Sequence, residues 1–254
     1  MKLFITYNQE SDKCNKIYQN VIEHDVFQKN SIFELSKVQE CDIIICIGGD
    51  GFLLSTINKY NQLKKPIYPI NGGTIGFLTN SFSIDNMFDN IIYADKIALT
   101  SLQVKINNKL ENAYNEISLL RNSPQAIHLE LYINDEFTTT IIGDGLIIST
   151  PLGSSGYNYS SGGSILPLTS NLLSITPICP YKPKNWKGAI IENDVTIKIK
   201  ILDNSKRLAI INLDNREFGN IKDIIIKCYS GNKLELLLDN YNKFKLKILK
   251  EQFS

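Results

Sequence analysis

Histidine, tryptophan and cysteine are scarce in this 254-residue sequence, at two, one and five residues. The cysteines (Cys14, Cys41, Cys46, Cys179 and Cys228) are odd in number and widely spaced, with no CxxC pair. Neither a disulfide framework nor a zinc site is indicated. GxSxG is absent and His128 falls on the polar side of an alternating segment, so a Ser-His-Asp hydrolase has no foundation. No apolar run approaches the ~18–20 residues of a membrane-spanning helix. The start, Met1 to Asn8, is too short for a secretory signal core and reads as a first β-strand. Excess charge of one sign is missing too: 27 Lys+Arg stand against 26 Asp+Glu, a net charge of +1. That argues against nucleic-acid binding through bulk positive charge and, with 43% hydrophobic residues, against disorder. The expected setting is cytoplasmic and reducing, with no nucleic-acid partner and no membrane partner. Two common phosphate-binding signatures, GxxxxGK[ST] and GxGxxG, are absent as well.

What is present has two textures. Residues 1–97 alternate in type. Leu3–Asn8 reads as a strand, and residues 10–29 as a polar helix with Ile17, Val21 and Ile22 on one face. Cys41–Ile47 is a continuous apolar run closed by glycines, which fits a strand covered on both faces. Residues 52–61 read as a helix, Pro66–Ile70 as a strand and Ser83–Tyr93 as a helix. This alternation predicts a doubly wound α/β domain with a parallel sheet. From residue 98 the period becomes two. Ile127, Leu129, Leu131 and Ile133 share one face, as do Val195, Ile197, Ile199 and Ile201. Residues 208–213 and 223–229 read as further strands, with Asn134-Asp135 and Leu202-Asp203-Asn204 as hairpin turns. A mostly-β domain over 98–235 is expected. Phe244–Ile248 alternates too, and periodicity leaves open whether it closes the β domain or crosses back to the first.

The sharpest local feature is Gly48-Gly49-Asp50-Gly51 directly after Ile43–Ile47. Ligand crevices of open α/β sheets lie at the carboxyl ends of strands. Glycines there let backbone N–H groups approach phosphate oxygens, and a helix beginning near Phe52 adds its positive end. Asp50 is the only carboxylate of the loop, which among phosphates implies work with Mg²⁺ or a proton. The plainer reading is a glycine bend with Asp50 capping the helix. Asn71-Gly72-Gly73-Thr74-Ile75-Gly76-Phe77-Leu78 sits at the next strand end, where Phe77 either stacks on a base or anchors the loop in the core. Ser149–Tyr157, running on to Gly163, offers hydroxyls and amides to a ribose or phosphate, or is simply a loop. Gly143-Asp144-Gly145 repeats the turn chemistry of Gly49-Asp50-Gly51 at a strand end, and His24 reads as solvated surface.

Taken in order, these pieces resemble the NAD kinase family. The matching segments are Gly48–Gly51, Asn71 to Leu78, Asn115-Glu116, Gly143–Pro151, Gly153-Ser154 with Tyr157 and Gly162-Gly163, and Thr176–Pro180. The resemblance implies an α/β domain over 1–97, completed by 236–254, with a β-rich NAD-binding domain over 98–235 between them. It implies transfer of the terminal phosphoryl group of ATP, or of inorganic polyphosphate, to the 2′-hydroxyl of the adenosine ribose of NAD, assisted by Mg²⁺ or another divalent cation. By the same resemblance Asp50 is the catalytic residue, with Gly48, Gly49 and Gly51 beside the phosphates. Phe77, Asn115 and Glu116 hold the adenosine, and Ser155, Gly156, Tyr157 and Ser160 form the ribose and adenine loop. Asp144 lies near the nicotinamide half, and Cys179 and Tyr181 line the site. No protein residue is assigned as a metal ligand, and a homodimer or homotetramer is expected.

The sequence departs from the family pattern at several positions. Phe52 replaces a small hydroxyl residue; Leu152, Ser155 and Gly156 replace Thr, Thr and Ala; Tyr181 replaces a frequent His; and Asp214-Asn215 replaces Asp-Gly. Two other readings compete. One is a lipid kinase of the diacylglycerol kinase type, which shares the Gly-Gly-Asp-Gly loop. The other is a non-catalytic dinucleotide sensor, kept open by Phe52.

Overall fold

A computed structural model describes residues 1–32, 35–74, 76–106, 109–203, 206–220 and 223–251. In chain order, the first part holds β1 (Leu3–Tyr7), α1 (Asp12–Glu23), α2 (Asp25–Asn30), β2 (Ser31–Ile32), β3 (Ile43–Gly48), α3 (Asp50–Tyr60), β4 (Ile67–Asn71) and α4 (Ile84–Tyr93). Strands β5 (Asp95–Ile106), β6 (Lys109–Ala113), β7 (Glu116–Arg121), β8 (Ile127–Ile133), β9 (Glu136–Gly143) and β10 (Gly145–Ser149) follow. The short helix α5 (Tyr157–Ser160) precedes β11 (Leu172–Ile178), β12 (Ala189–Glu192), β13 (Thr196–Leu202), β14 (Ala209–Leu213), β15 (Arg216–Asn220) and the long β16 (Asp223–Leu238). The chain ends in α6 (Tyr241–Glu251). It divides into two compact units: residues 1–99 with 232–254, and residues 100–231.

The first unit is a doubly wound α/β layer. Its strands lie in the order β2-β1-β3-β4-β16, and every recorded pair is parallel. The apolar run Ile43–Ile47 explains the two-sided cover. Ile45 and Ile47 join Leu3, Ile17, Val21, Phe27, Met87 and Ile91 on the face covered by α1, α2 and α4. Cys46 points the other way and donates to Thr56 Oγ1 on α3 at 3.4 Å. Burial pushes the Cys46 thiol up to about 12, so it packs as a small apolar group rather than a nucleophile. The chain leaves β1 toward β2, then returns to the opposite side of β1 for β3 and β4. The carboxyl ends of β1 and β3 are therefore the topological switch point where such folds bind ligands.

The second unit is a β-sandwich. One sheet runs β12-β11-β10-β7-β14-β15 with antiparallel pairing throughout. The other joins β13, β8 and β9 to the first part of β16. Inward residues of both sheets meet in one core, with Ile127, Leu129, Leu131 and Ile197, Ile199, Ile201 facing Ile117, Leu119, Leu146, Ile148 and Ile211. Each such side chain contributes roughly 1.5–3 kcal/mol relative to an exposed one. Asn134 and Asp135 both adopt positive φ (51° and 66°), as the two-residue turn between β8 and β9 requires. The Leu202-Asp203-Asn204 turn extends into residues outside those described, because Asn204 is not among them.

Several sequence expectations are corrected here. The helix expected over 10–29 is two helices, because His24 adopts extended backbone (φ −80°, ψ 126°) and separates α1 from α2. His24 is half-buried against Phe27 rather than solvated (ring centroids 5.8 Å). Gly143-Asp144-Gly145 does stand at a strand end, but unlike Gly49–Gly51 it leads into a strand rather than a helix. It joins β9 of one sheet to β10 of the other, where a Cβ on Gly145 would sit 2.4 Å from the Leu119 carbonyl oxygen. Phe244–Ile248 alternates like a strand but is part of α6. The strand expected over 223–229 continues to Leu238.

Candidate active site

In the first unit, β3 ends at Gly48 and α3 begins at Asp50, two residues earlier than expected. Gly49 is the N-cap, so Asp50 is not the capping residue. Its carboxylate turns to a neighbouring loop instead. Oδ2 accepts from the Phe77 N–H at 2.8 Å and Oδ1 from the Leu78 N–H at 2.9 Å. Two charge-assisted bonds fix both oxygens, each keeping a further lone pair. The loop at the end of β4 packs directly on the loop at the end of β3. The Gly72 N–H donates to the Gly48 carbonyl at 3.0 Å, and a Cβ on Gly73 would come within 3.2 Å of the Gly49 Cα. Glycine is needed here because two backbones touch. Gly76 adopts a φ of +59°, and a Cβ there would collide with Asn71 and Thr79. Ile75 lies outside the described residues. Phe77 is half-buried, and Phe52 folds back so that its ring would meet any Cβ on Gly48.

In the second unit, Asn115-Glu116 and Ser149–Tyr157 come together. The Thr150 N–H donates to the Asn115 carbonyl at 2.9 Å, and Gly153 lies so close that a Cβ would sit 2.3 Å from that oxygen. Asp214, at the turn between β14 and β15, organises the segment. Its carboxylate accepts from the N–H groups of Tyr114 (3.1 Å), Asn115 (2.8 Å) and Glu116 (3.3 Å). Asn115 Oδ1 and Glu116 Oε2 are buried with no hydrogen-bond partner among the described residues. A buried polar atom without a partner is costly in a folded protein, and a ligand hydroxyl would satisfy it. Burial first, and the Asp214 charge second, push the Glu116 carboxyl up to about 8, so it is largely protonated at neutral pH. Tyr157 is 40% exposed. Its phenol is raised by desolvation first and then by Glu116 and Cys179.

The remaining predicted residues are more dispersed. Ser155 is half-buried, and Gly156 and Ser160 are exposed on the same loop, where the Ser160 N–H donates to the Gly156 carbonyl at 3.1 Å. Asp144 is held by Arg121, with Nε 2.7 Å from its carboxylate, and so belongs to the end of β7. Cys179 is exposed at a positive φ of 44°. Tyr181 is 80% exposed, its N–H donating to the Ile142 carbonyl at 2.7 Å. Sequence reasoning missed Arg121 and the organising role of Asp214. Asp214 stands out only as a departure from Asp-Gly, because its partners lie about a hundred positions away.

The doubly wound unit carries a glycine-flanked carboxylate at its switch point, and the β-sandwich carries buried polar atoms without partners, features that suit a phosphotransferase. The ATP-NAD kinase N-terminal domain matches residues 5–93, and the ATP-NAD kinase C-terminal domain matches residues 114–237. The NAD kinase of Rickettsia bellii is 34% identical over 258 residues, covering 99% of this chain and 98% of the relative. That of Xylella fastidiosa is 37% identical over 228 residues, covering 86% of each. The chain belongs to the NAD kinase family. Yeast NADH kinase complexed with NADH superposes with a TM-score of 0.82 at 22% identity, covering 98% of this chain and 86% of that one. The Archaeoglobus fulgidus NAD kinase in complex with ATP gives 0.78 at 22% identity, covering 99% and 98%. These two likenesses bear out the fold. Nothing among these relatives favours the lipid kinase reading.

Proposed function

We propose that this chain is a NAD kinase that moves the terminal phosphoryl group of ATP to the 2′-hydroxyl of the adenosine ribose of NAD, with Asp50 as the catalytic carboxylate. Family membership carries the activity, and one observation carries the assignment. Asp50 is the carboxylate of the glycine loop at the end of β3, held at both oxygens yet half-exposed. A carboxylate is a weak base for a ribose hydroxyl, but phosphoryl transfer usually has a loose transition state in which the proton leaves late. Asp50 then orients the 2′-oxygen and collects its proton as the bond forms. The amides of Gly49 and Gly51, with the N-terminus of α3, stabilise charge on the transferred group.

In this reading Asn115 and Glu116 take the adenosine through their unpaired oxygens. Glu116, protonated at neutral pH, donates to a ligand oxygen as well as accepting. Tyr157 offers a ring face to the base. Phe77, Ser155, Gly156, Ser160, Asp144, Cys179 and Tyr181 are proposed as the further contacts. The donor set also fits Mg²⁺. The described residues hold no cluster of three or more His, Cys, Asp or Glu side chains, and Mg²⁺ is usually bound by one or two carboxylates plus substrate phosphates rather than a protein cage. Asp50 is the carboxylate available to it in this loop. When bound, the ion supplies neutralisation of phosphate charge. Inorganic polyphosphate as a second donor, a cytoplasmic location and a homodimeric or homotetrameric state belong to the same proposal. No helix among the described residues is long and apolar enough to cross a membrane.

The test is Asp50→Asn in a coupled assay of NADP formation, run with ATP and polyphosphate in parallel. Turnover is expected to fall by roughly 10²–10⁴ while calorimetric NAD binding stays within a few fold. Near-normal NADP production by the purified variant would remove Asp50 from the catalytic role. NAD binding without NADP formation by the unmodified protein would instead support a dinucleotide sensor.

A further inference from the structure

The first unit contains a cavity of about 420 Å³ between the segment from Phe77 to Ser81 and the C-terminal helix α6. Lys243, Lys247 and Lys250 all line it. They are spaced i, i+4 and i+7, which puts three ammonium groups on one helical face, where like charges repel. The acidic residue of the lining, Asp239, feels the charge of Lys243 but has its hydrogen bonds outside the ridge. It accepts from the Tyr68 hydroxyl at 2.5 Å and from Asn90 Nδ2 at 3.3 Å. Thr79, Asn80, Ser81 and Asn240 add polar groups to the lining beside the apolar Phe77, Leu238 and Phe244. Three ammonium groups with hydroxyls and amides suit a polyanion.

The cavity adjoins the loop that holds Asp50. Lys247 donates to the Gly76 carbonyl, and its Nζ lies 5.4 Å from the centroid of the Phe77 ring. Phe77 and Leu78 are the residues whose amides hold the Asp50 carboxylate. Burial lowers the Lys247 pKa while the charge of Asp50 raises it, so the two groups sense each other. An anion lying along Lys243, Lys247 and Lys250 would pass, at Lys247, next to the loop that holds Asp50. Lys243 and Lys250 are exposed and make no ion pair among the described residues. Phe52, folded over Gly48, offers no hydroxyl to donor phosphates, which leaves the glycine-loop amides to hold the transferred group and room for further cationic contacts along the rest of the donor.

We propose that Lys243, Lys247 and Lys250 of α6 form the binding ridge for the phosphoanhydride chain of the donor, shared by a nucleoside triphosphate and by inorganic polyphosphate. This rests on the kinase reading above. The direct probe is tripolyphosphate, titrated calorimetrically into the full-length protein without NAD, which reads the ridge even if turnover is absent. Lys243→Gln/Lys250→Gln, at two exposed positions, is expected to weaken tripolyphosphate binding roughly tenfold or more, as loss of charge-assisted bonds does. Lys247→Met should do the same and Lys247→Arg should restore it. In turnover, the KM for the donor should rise by a similar factor while the KM for NAD stays within about twofold. A rise with ATP, with polyphosphate or with both supports the ridge and shows which source it serves. Unchanged tripolyphosphate affinity in both lysine variants overturns it, as does a KM for NAD that rises as much as that for the donor. Absence of NADP formation by the unmodified protein would instead count against the kinase reading, leaving the tripolyphosphate result to stand separately.

Discussion

Glu116 shows how one residue ties function to pH. Burial and the nearby Asp214 hold its carboxyl up at about 8, against an ordinary 4.5. The native chain keeps a proton there that the unfolded chain releases. Its contribution to stability is therefore full below about pH 4.5 and is lost as pH rises through about 8. Glu116→Gln keeps the shape and removes the titration. The stability difference, wild type minus variant, is expected to fall steadily between about pH 5 and 9 in urea unfolding. A difference that does not change with pH would show that Glu116 titrates normally. Asp214 acts on the backbone rather than on a ligand. Asp214→Ala leaves the N–H groups of Tyr114, Asn115 and Glu116 without their acceptor and should cost about 1–3 kcal/mol for each that water cannot reach. It should also raise the KM for NAD. Asp214→Asn retains one acceptor oxygen and should lose less on both counts.

Among the elements, the loop from Ser149 to Tyr157 depends on a contact no pattern reveals. Gly153 lies against the Asn115 backbone, with space for no side chain. Gly153→Ala is expected to destabilise the chain by about 1–3 kcal/mol and to weaken NAD binding more than donor binding, as measured by urea midpoint and separate KM values. α6 makes the opposite point. Its alternation of lysine with apolar residues carries the period of a strand, yet it folds as a helix with Phe244, Lys247 and Ile248 half-buried. Lysine has a good helix propensity and a stem that can lie on apolar surface, so binary alternation over five residues does not settle the element. Where one face is buried over longer segments, as in β8 and β13, alternation and structure agree, up to the partly buried Ile133 at the end of β8.

At the scale of the whole molecule, the chain leaves its first unit near residue 99 and returns to it near residue 232. The return is held by specific groups. Asn80 Nδ2 donates to the Leu237 carbonyl at 2.9 Å, and the Asp239 N–H donates to Asn80 Oδ1 at 3.0 Å. Leu237 is 2% exposed and packs with Val21, Phe27 and Met87. Leu237→Ala should therefore destabilise the first unit by about 2–5 kcal/mol despite lying near the chain end, read as earlier hydrogen exchange in β1, β3 and β4. Exchange unchanged in those strands would mean that the returning segment does not support them.

The sequence alone determined the class of fold, because buried parallel strands must be apolar throughout and half-buried antiparallel strands must alternate. It also marked the glycine loops, since a backbone approach as close as that of Gly153 to Asn115 leaves no room for a side chain. The family was legible because these loops recur in a characteristic order. Only the tertiary structure decided what the side chains at those loops bind: that Asp50 reaches Phe77 and Leu78 rather than capping its own helix, that Asp214 gathers three amides, and that the last helix lays Lys247 over Phe77. These contacts join residues far apart in the chain, and local periodicity carries no record of a partner beyond a few turns.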